Sequence, residues 1–429
     1  MTLLKMKQEG VYFMRIAVIG SGISGMVAAY LLSPAHEVSV FEGNDYIGGH
    51  THTIDVAIGE KRYAVDTGFI VFNSQTYPNF TRLIEKLGVT WQPSTMSFSL
   101  QCRKTGLVFS PSSLNALFAQ RRNLLRPSFY RMLMDALRFR AESPALLAGK
   151  DDSITLSDYL ERHRYSRLFI DHFIIPMGSA IWSADPDRFR EFPARYFVEF
   201  FNNHGFLNIR NQPQWRVIKG GSREYVGPLI RGFKDRIRTK TPVASIRRWP
   251  DRVAVTPVNG ETEYFDQVII ATHSDQALAL LDDPSDAEHQ ILGSIAYQEN
   301  ETVLHTDTAV LPLERSTWAS WNYYNPPEKR GRVAVTYNMN ILQNLTAEET
   351  FCVSLNWPGR LDPAKIYRKL IYQHPVYTPP GLAARKRHTE INGVNRTYFC
   401  GAYWGYGFHE DGVNSALEVC KHFGRDLST

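Results

Sequence analysis

The chain is predicted to form an α/β fold, in which a doubly wound parallel sheet is interrupted by an inserted α+β domain. Three stretches support this prediction. Residues 15–53 read as strand, turn, helix and strand, and residues 265–272 (FDQVIIAT) form the continuous apolar run of a strand that is buried on both faces. Residues 396–423 repeat the order strand, loop and helix near the end of the chain. Apolar strands that alternate with helices are typical of a parallel sheet.

A glycine motif directly follows the first predicted strand, residues 16–19. Gly20, Gly22 and Gly25 give the pattern G-x-G-x-x-G at the start of a helix predicted over residues 24–32. The first glycine allows a tight turn, the second lets the backbone approach a pyrophosphate, and the third lets the helix pack close to the strand. The N-terminus of the helix then directs its N–H groups and its positive dipole end at the phosphates.

An acidic residue follows at the distance that a dinucleotide site requires. The second strand, residues 37–41, ends at Glu42, about 20 residues past the first glycine, where a carboxylate can accept hydrogen bonds from the ribose hydroxyls. A glycine turn without a ligand is the alternative, but the strand, the helix and the acid around the motif argue against it. These features predict a Rossmann-like domain that binds a dinucleotide.

The residues after Glu42 indicate which dinucleotide is bound. A second glycine pair, Gly48-Gly49, is followed by His50-Thr51-His52-Thr53. This pair resembles the GG motif of the flavoproteins with two dinucleotide-binding domains, the group that holds amine oxidases and phytoene desaturases. The resemblance implies FAD, with the pair along the pyrophosphate and the ribityl chain. The family usually has Arg or Lys where this chain has His50.

No metal site is predicted from the two histidines of this segment. His50 and His52 alternate along an extended chain, so their side chains point to opposite faces. Neither a carboxylate cluster nor a cysteine cluster accompanies them.

Three further segments resemble the family in the expected order: residues 66–73, 215–272 and 396–423. By this resemblance, residues 66–68 approach the isoalloxazine, and the last helix, predicted to open at residues 412–414, directs its N-terminus at the flavin. Amine oxidases of the monoamine type tie FAD to a cysteine at a position that Cys400 does not match, so noncovalent FAD is expected. The cofactor-binding residues that the resemblance implies are Gly20, Gly22, Ile23, Ser24, Gly25, Glu42, Gly48, Gly49, His50, Thr51, Thr53, Gly68, Phe69, Val243, Gly401, Glu410, Gly412, Val413 and Asn414.

The FAD-binding domain is predicted to be discontinuous. Its three parts are residues 14–98, 215–290 and 391–429. The substrate domain would comprise a helical part, residues 99–214, and an antiparallel sheet, residues 291–390. Within the helical part, residues 155–173 are predicted to form one helix and residues 176–183 an irregular stretch.

One helical region carries an unusual number of arginines. Residues 112–147 are predicted to be helical with a break at Pro127, and the basic part spans residues 112–140. A solvated helix face explains this pattern most simply. The other interpretation is a basic amphipathic surface on anionic lipid. The arginines are Arg121, Arg122, Arg126, Arg131, Arg138 and Arg140.

Composition limits the classes of function. The formal net charge of +5 is mild and gives no reason to expect nucleic acid as a partner. The four scattered cysteines suggest a reducing compartment. No signal peptide is evident in the first residues. A cytoplasmic location is expected, with the inner face of the membrane as the alternative if the basic surface binds lipid.

The resemblance extends to a narrower group. The segments LHTD (304–307), ASWNYY (319–324), VTYNMNILQNL (335–345) and CGAYWGYGFHEDG (400–412) resemble a bacterial subfamily of predicted NAD/FAD-binding proteins. A similar domain precedes the methyltransferase part of plant cyclopropane fatty-acid synthases, and some members are implicated in desaturating methylated acyl chains on the way to furan fatty acids. The resemblance therefore implies dehydrogenation of a methylated, unsaturated fatty acyl chain, free or in a phospholipid, by hydride transfer to flavin N5.

Two alternatives stay open at this stage. One is a flavin amine oxidase, although the lysine that such enzymes carry on the strand after the VIIAT-like segment is missing from residues 298–305. The other is a non-catalytic, flavin-bearing partner of a fatty-acyl methyltransferase.

Four residues are the candidates for catalysis. His409 and Glu410 are candidates for general acid or base by analogy, because they stand next to the closing FAD motif. His305 is a further candidate for this role, and Tyr403 is expected at the substrate side of the flavin. A structural role is the alternative for each histidine.

Overall fold

The computed structural model describes residues 13–149, 153–207, 212–328 and 331–428. The first twelve residues, on which the signal-peptide prediction depends, lie outside the described ranges. In these ranges the strands are β1 Arg15–Ile19, β2 Glu37–Phe41, β3 Thr53–Ile58, β4 Lys61–Asp66, β5 Val71–Phe72, β6 Trp91–Pro93, β7 Phe98–Cys102, β8 Leu107–Phe109, β9 Arg216–Ile218, β10 Ile237–Arg238, β11 Val243–Arg248, β12 Val253–Pro257, β13 Glu263–Phe265, β14 Gln267–Ile270, β15 Tyr297–His305, β16 Trp321–Asn325, β17 Ala334–Asn338, β18 Cys352–Leu355, β19 Ile366–Pro375 and β20 Thr397–Phe399.

The α-helices lie between these strands. They are α1 Ile23–Leu32, α2 Pro78–Lys86, α3 Leu114–Leu117, α4 Pro127–Glu142, α5 Leu156–Arg162, α6 Arg167–Phe169, α7 Ile175–Trp182, α8 Pro186–Phe189, α9 Ala194–Asn203, α10 Val226–Ile230, α11 Ser274–Leu280, α12 Asp286–Leu292, α13 Met339–Leu342, α14 Pro379–Arg385 and α15 His409–Lys421.

The predicted parallel sheet is confirmed. Its five strands lie in the order β10-β2-β1-β14-β20, and every neighbouring pair is parallel. Side chains alternate between two cores: Ile16 and Val18 face one, Ala17 and Ile19 the other. Because the sheet is covered on both faces, these strands are apolar throughout.

A second, larger sheet holds seven strands in the order β19-β15-β18-β17-β16-β7-β8. Its pairs are antiparallel except β16 with β7. The helices between residues 114 and 203 share its apolar core, which is rich in phenylalanine. The fold class predicted from the sequence, an α/β fold with an additional α+β part, is therefore observed. The domain boundaries stay a prediction.

Two predicted elements of the helical part differ from the structure. Residues 176–183 are mostly helical, in α7, because Pro176 stands in the first turn, where a missing N–H is harmless. Gly178 in that helix lets aromatic rings pack on the backbone, since a Cβ there would lie 2.2 Å from the ring of Phe189. Residues 155–173 do not form one helix: α5 ends at Arg162, and Arg164 has a left-handed φ of 53°.

One further correction concerns a helix start. The predicted break at Pro127 is observed, because the preceding 3₁₀ segment ends at Leu125, Arg126 is extended and Pro127 opens α4. The last helix, α15, begins at His409, so residues 412–414 lie inside its first turns. The edge strand β19 was not predicted, because charged and apolar residues mix in its sequence IYRKLIYQHP.

Candidate functional site

A single continuous cavity of about 1700 Å³ runs from the glycine turn of the parallel sheet into the seven-stranded sheet and the helices. For description we divide it into two parts. The dinucleotide segment is the part lined by Gly20–Ser24, Phe41–Tyr46, Gly48–His50 and Thr241–Ala244. The chamber is the part lined by Met96, Phe98, Arg140, Met177, Ile181, Trp182, Phe200, His204, Phe206, Trp321, Tyr337, Leu342, Tyr377, Tyr406 and Phe408.

At two of its three glycines, the glycine turn has no room for a side chain. Gly20 has a φ of +101°, and a Cβ there would lie 2.9 Å from the carbonyl oxygen of Ala271. A Cβ on Gly25 would lie 2.0 Å from the carbonyl oxygen of Gly20. At Gly22 a Cβ would meet nothing within 4 Å, so the backbone here faces open space in the cavity. The motif therefore forms a tight turn with one accessible face, as phosphate binding requires.

Glu42 ties the glycine turn to the end of β2. Its Oε2 accepts hydrogen bonds from the backbone N–H (2.9 Å) and the hydroxyl (2.6 Å) of Ser21. Its Oε1 accepts from the backbone N–H of Asn44 at 2.8 Å. The carboxylate lines the cavity and is nearly buried. The side-chain amide of Asn44 also donates to Oε1, at 2.9 Å, so four donors hold the carboxylate in place. A ribose hydroxyl that binds Glu42 would take the place of one of these donors.

The second glycine pair lies directly against the first motif. Gly48 and Gly22 form a parallel bridge, and a Cβ on Gly49 would lie 3.1 Å from the Cα of Gly22. Gly68 approaches the same segment, because a Cβ there would lie 2.2 Å from the carbonyl oxygen of His50. The structure thus brings together three glycine segments that are separated in sequence, and all three line the cavity.

His409 lies in the cavity wall as a neutral ring. Its imidazole stacks on Phe69 with ring centroids 3.5 Å apart. Its Nε2 forms hydrogen bonds with the hydroxyls of Thr51 (3.0 Å) and Tyr225 (3.1 Å). Burial lowers the pKa of His409 to about 3. At neutral pH this ring can accept a proton but has none to give up as an imidazolium.

Two predicted catalytic residues lie outside the cavity. Both oxygens of Glu410 accept backbone N–H groups, from Asn79 (3.0 Å) and Phe80 (2.8 Å), so this carboxylate caps α2. His305 accepts the backbone N–H of Asp307 on Nδ1 (3.1 Å) and donates from Nε2 to Ser354 (2.8 Å). Both roles are structural, because the side chains contact neighbouring elements and not the cavity. Tyr403, in contrast, lines the cavity as expected.

Several residues predicted to bind the cofactor lie behind the cavity wall. Thr51 holds His409, and Thr53 donates to Asp66 at 2.6 Å. A Cβ on Gly412 would lie 2.7 Å from Ile23, which shows how closely α15 packs on α1. Gly25, Val413 and Asn414 likewise support the wall without lining it. The residues from the predicted set that do line the cavity are Gly20, Gly22, Ile23, Ser24, Glu42, Gly48, Gly49, His50, Gly68, Phe69, Val243 and Gly401.

A group of histidines that the sequence reasoning did not bring together lies beside the glycine segments. The ring of His50 is 5.5 Å from that of His374 and 6.2 Å from that of His273, measured between centroids. Burial, together with the neighbouring histidines, holds the pKa of His50 well below its usual range. Its Nε2 atom is buried without a hydrogen-bond partner, which leaves that atom available to a ligand.

Strand β19, which the sequence did not predict, contributes side chains to the cavity wall. Arg368, Leu370, Tyr372 and His374 all line the cavity. They are spaced by two residues, so they lie on one face of the strand. The sequence of the strand shows no matching alternation of polar and apolar residues, so no local signal identified it.

The residues of the dinucleotide segment fit FAD. The backbone at Gly22 is open to the cavity, Glu42 is positioned for a ribose, and the buried Nε2 of His50 lacks a partner. The fold and this segment define a dinucleotide-binding oxidoreductase. A sequence model of one family, described as flavin containing amine oxidoreductase, matches residues 23–422. The chain belongs to this family, and FAD is its cofactor.

Individual relatives are distant in sequence. The chain is 26% identical over 266 residues to the flavin-dependent L-tryptophan oxidase of Lentzea aerocolonigenes, a match that covers 57% of this chain and 54% of that protein. The chain spans about half the length of the curated relatives it matches.

Solved structures with the same fold cover nearly the whole chain. Cyclohexylamine oxidase from Brevibacterium oxydans IH-35A matches with a TM-score of 0.64 and 16% identity, over 96% of this chain and 98% of that one. A CLA-producing fatty acid isomerase from P. acnes matches with a TM-score of 0.66 and 15% identity, over the same shares of the two chains. At these identities the likeness concerns the fold.

Two further features of the described residues concern helix length and possible metal ligands. None of the helices there is both long and apolar enough to cross a membrane. Among the same residues, no group of three or more histidine, cysteine, aspartate or glutamate side chains could hold a metal ion.

We expect Glu42→Gln to weaken FAD binding by about tenfold or more. A glutamine amide cannot accept from both Ser21 groups and a ribose as a carboxylate does, and hydrogen bonds to a charged group contribute about 1.5–3 kcal/mol. FAD release on dilution, followed by the recovery of flavin fluorescence, measures the effect. Glu37→Gln, at an exposed position on the same strand, is the control and should bind FAD as the wild type does. Equal retention of FAD by both variants would contradict the assignment.

His305 should make protein stability depend on pH. Burial lowers the pKa of His305 to about 4, whereas the unfolded chain titrates near 6.5, so the stability from the neutral ring is complete above pH ~6.5 and is lost as the pH falls toward ~4. We expect the destabilisation caused by His305→Gln to be about 1.4 kcal/mol smaller at pH ~5.5 than at pH ~7.5. Urea unfolding of the FAD-loaded protein measures it.

The control for this experiment is His289→Gln, which changes an exposed histidine. It should leave the pH dependence unchanged. If His305→Gln lowers the free energy of unfolding by the same amount at both pH values, the folded protein does not keep the His305 ring neutral.

Proposed function

We propose that the protein is an FAD-dependent dehydrogenase that desaturates a fatty acyl chain, with a methylated, unsaturated chain as the preferred substrate. The observation that carries the proposal is the chemistry of the chamber. Among the described residues that line the cavity, the carboxylates are Glu42 and Asp45, and both belong to the dinucleotide segment. Apart from Arg140 and His204, the residues that define the chamber are aromatic or aliphatic. Such a surface suits a long apolar chain and provides no counter-ion for an ammonium group.

The size of the cavity supports two ligands. Pockets for a single small molecule usually measure about 300–1,000 Å³, and this cavity has about 1700 Å³. A dinucleotide in its segment therefore leaves a chamber for a second, elongated molecule. The fold likeness to a fatty acid isomerase supports the proposal, because a structure of similar architecture works on a fatty acid in that protein.

The protein positions the acyl chain, excludes water from the site and accepts the proton that leaves the substrate. Bound FAD supplies the capacity to accept a hydride from carbon. The aromatic walls, among them Tyr406, Phe408 and Phe200, exclude water and align the acyl chain. We propose that His409, whose uncharged ring lines the cavity, takes up the proton that leaves the substrate carbon.

Anaerobic mixing of the FAD-loaded protein with candidate substrates tests the proposal. We expect the visible absorbance of the oxidised flavin to bleach with a methylated unsaturated acyl lipid. His409→Asn should keep FAD but bleach about 100-fold more slowly, the lower range of general-base effects. His305→Gln, a buried histidine outside the cavity, is the matched control and should bleach at the wild-type rate.

The same experiment separates the alternatives. Amine oxidation is favoured by the sequence similarity to an L-tryptophan oxidase. Bleaching with L-tryptophan or simple amines, but with no lipid, would replace the desaturase with an oxidase. If neither class of compound bleaches the flavin, a flavin-bearing partner of a fatty-acyl methyltransferase becomes the better proposal. A stable complex with such an enzyme would then be the measurement to make.

We also propose that the protein docks on anionic phospholipid through a patch on its helical part. The patch consists of exposed apolar side chains along α4 and just before it: Leu124, Leu125, Tyr130, Met134 and Leu137. Leu125 is 89% exposed and Met134 is 66% exposed. Three arginines flank it, Arg121, Arg122 and Arg126, and their charge complements an anionic membrane surface.

The basic face is smaller than the sequence pattern indicates. Arg131 and Arg138 bind the buried carboxylate of Asp135, at 3.2 Å and 3.1 Å. Arg138 also lies over the ring of Tyr165. Arg140 faces the cavity. Only part of the arginine run is therefore available to lipid.

We expect the double variant Leu125→Gln, Met134→Gln to lose most of its binding to vesicles that contain anionic phospholipid. Both substitutions remove apolar surface from the patch without touching the core. Co-sedimentation with vesicles at low and high salt measures binding. Val258→Gln, at an exposed apolar position near the end of β12, is the control. Wild-type protein that stays in solution with anionic vesicles at low salt would rule out the docking proposal.

A further inference from the structure

We propose that the guanidinium of Arg140 binds the anionic head group, carboxylate or phosphate, of the acyl substrate inside the chamber. This inference rests on the proposed function and deepens it, because it specifies that the substrate carries a negative charge at the end of its chain.

Arg140 is a cation without a protein partner. It stands in the last turn of α4 and its side chain lines the cavity. In the part of the chain that the structure describes, it forms neither a hydrogen bond nor an ion pair. The other arginines of this helix are paired: Arg131 and Arg138 with Asp135, and Arg138 also with Glu142 at 3.4 Å. On α4, Arg131 and Arg138 thus have carboxylate partners, whereas Arg140, which faces the cavity, has none among the described residues.

An unpaired cation in such a place has an energetic cost. Arg140 is partly buried, and desolvation lowers its pKa from the ordinary value. Placing a charge beside apolar walls without a counter-ion is unfavourable, so a ligand that supplies a negative charge recovers the lost solvation. An aliphatic or aromatic residue would line the chamber without this cost. The arginine therefore points to an anion as part of the ligand.

The distribution of charge along the cavity locates that anion. Besides histidines, the described charged residues of the lining are Glu42, Asp45, Arg368 and Arg140. Glu42 and Asp45 border the dinucleotide segment, and Arg368 acts electrostatically on the neighbouring His52. Arg140 alone stands in the chamber, on the helical side. The two arginines thus serve different ligands: Arg368 is near the dinucleotide, and Arg140 is available to the second molecule.

The surroundings of Arg140 suit the rest of an acyl chain. The 3₁₀ segment Ser143–Ala148 follows α4 directly and packs against α9, whose Phe200 lines the chamber. Met177 and Ile181 of α7 and Met96 before β7 add aliphatic surface. A ligand with a charged head at Arg140 can therefore extend an apolar chain along these walls toward the flavin end. Arginine suits either head group, because its planar fork binds carboxylate and phosphate in a bidentate manner.

Binding measurements on the FAD-loaded protein test the inference independently of turnover. Isothermal titration with oleate, oleyl alcohol and oleoyl lysophosphatidic acid compares one chain with three head groups. For the wild type we expect at least one of the two acids to bind about 10–100-fold more tightly than the alcohol, the range for hydrogen bonds to a charged partner. Preference for oleate indicates a free fatty acid as the natural substrate, and preference for the lysophospholipid indicates a phosphate head.

The variant Arg140→Gln should lower the affinity for the preferred acid to that for the alcohol. Its affinity for the alcohol should stay at the wild-type value, which also shows that the chamber is folded. Arg140→Lys should retain part of the preference, because the charge remains but the bidentate fork is lost. Arg188→Gln, at an exposed position of α8 outside the cavity, should bind all three compounds as the wild type does.

One outcome would contradict only the role of Arg140, and another would contradict the acyl substrate itself. If the wild type binds the acids no better than the alcohol, or if Arg140→Gln weakens both equally, Arg140 does not recognise the head group, and the acyl dehydrogenase proposal still stands. If the wild type binds none of the three compounds, the acyl substrate itself fails, and the inference fails with it.

Discussion

The close packing of backbone around the glycine turn is the constraint on which the rest of the structure depends. Three chain segments meet there without side chains between them, because a Cβ on Gly20, Gly25 or Gly68 would lie within 3 Å of backbone oxygen. This approach sets the distance between β1, α1 and the segment that carries His50. It also places Glu42 where its carboxylate fixes Ser21. The floor of the dinucleotide segment is therefore rigid before any ligand binds.

The chamber follows a different physical principle. Its walls come from the seven-stranded sheet and from helices whose core is mainly aromatic. Aromatic side chains bury a large apolar area with few rotatable bonds, so they hold the shape of a cavity well. Against this background the few charged groups are informative. Among the described residues of the lining, the carboxylates border the dinucleotide segment, and Arg140 is the charged group on the helical side. This asymmetry supports an apolar substrate with a negative head more than a cationic amine.

Buried titratable groups are used in two ways in this protein. Some, such as Glu410 and His305, are fully satisfied by hydrogen bonds and hold elements together. Others, such as His50, keep a buried nitrogen atom without a partner at the cavity. The second kind is the better guide to function, because an unsatisfied buried polar atom is costly unless a ligand completes it. Sequence position alone does not distinguish the two kinds, since Glu410 is adjacent to His409 and yet points to another helix.

The sequence by itself determined the parallel sheet, the glycine turn and the acid at its end, because these depend on local spacing. Its resemblance to a flavoprotein family implied FAD. It did not reveal β19, whose mixed composition hides an alternating face, or the helical state of residues 176–183. Only the tertiary structure decided which polar residues meet the cavity. That choice depends on how distant segments pack: α15 turns His409 into the wall and Glu410 onto α2, and α4 pairs Arg138 outside while Arg140 faces inward. Such directions arise from long-range contacts, which no local pattern encodes.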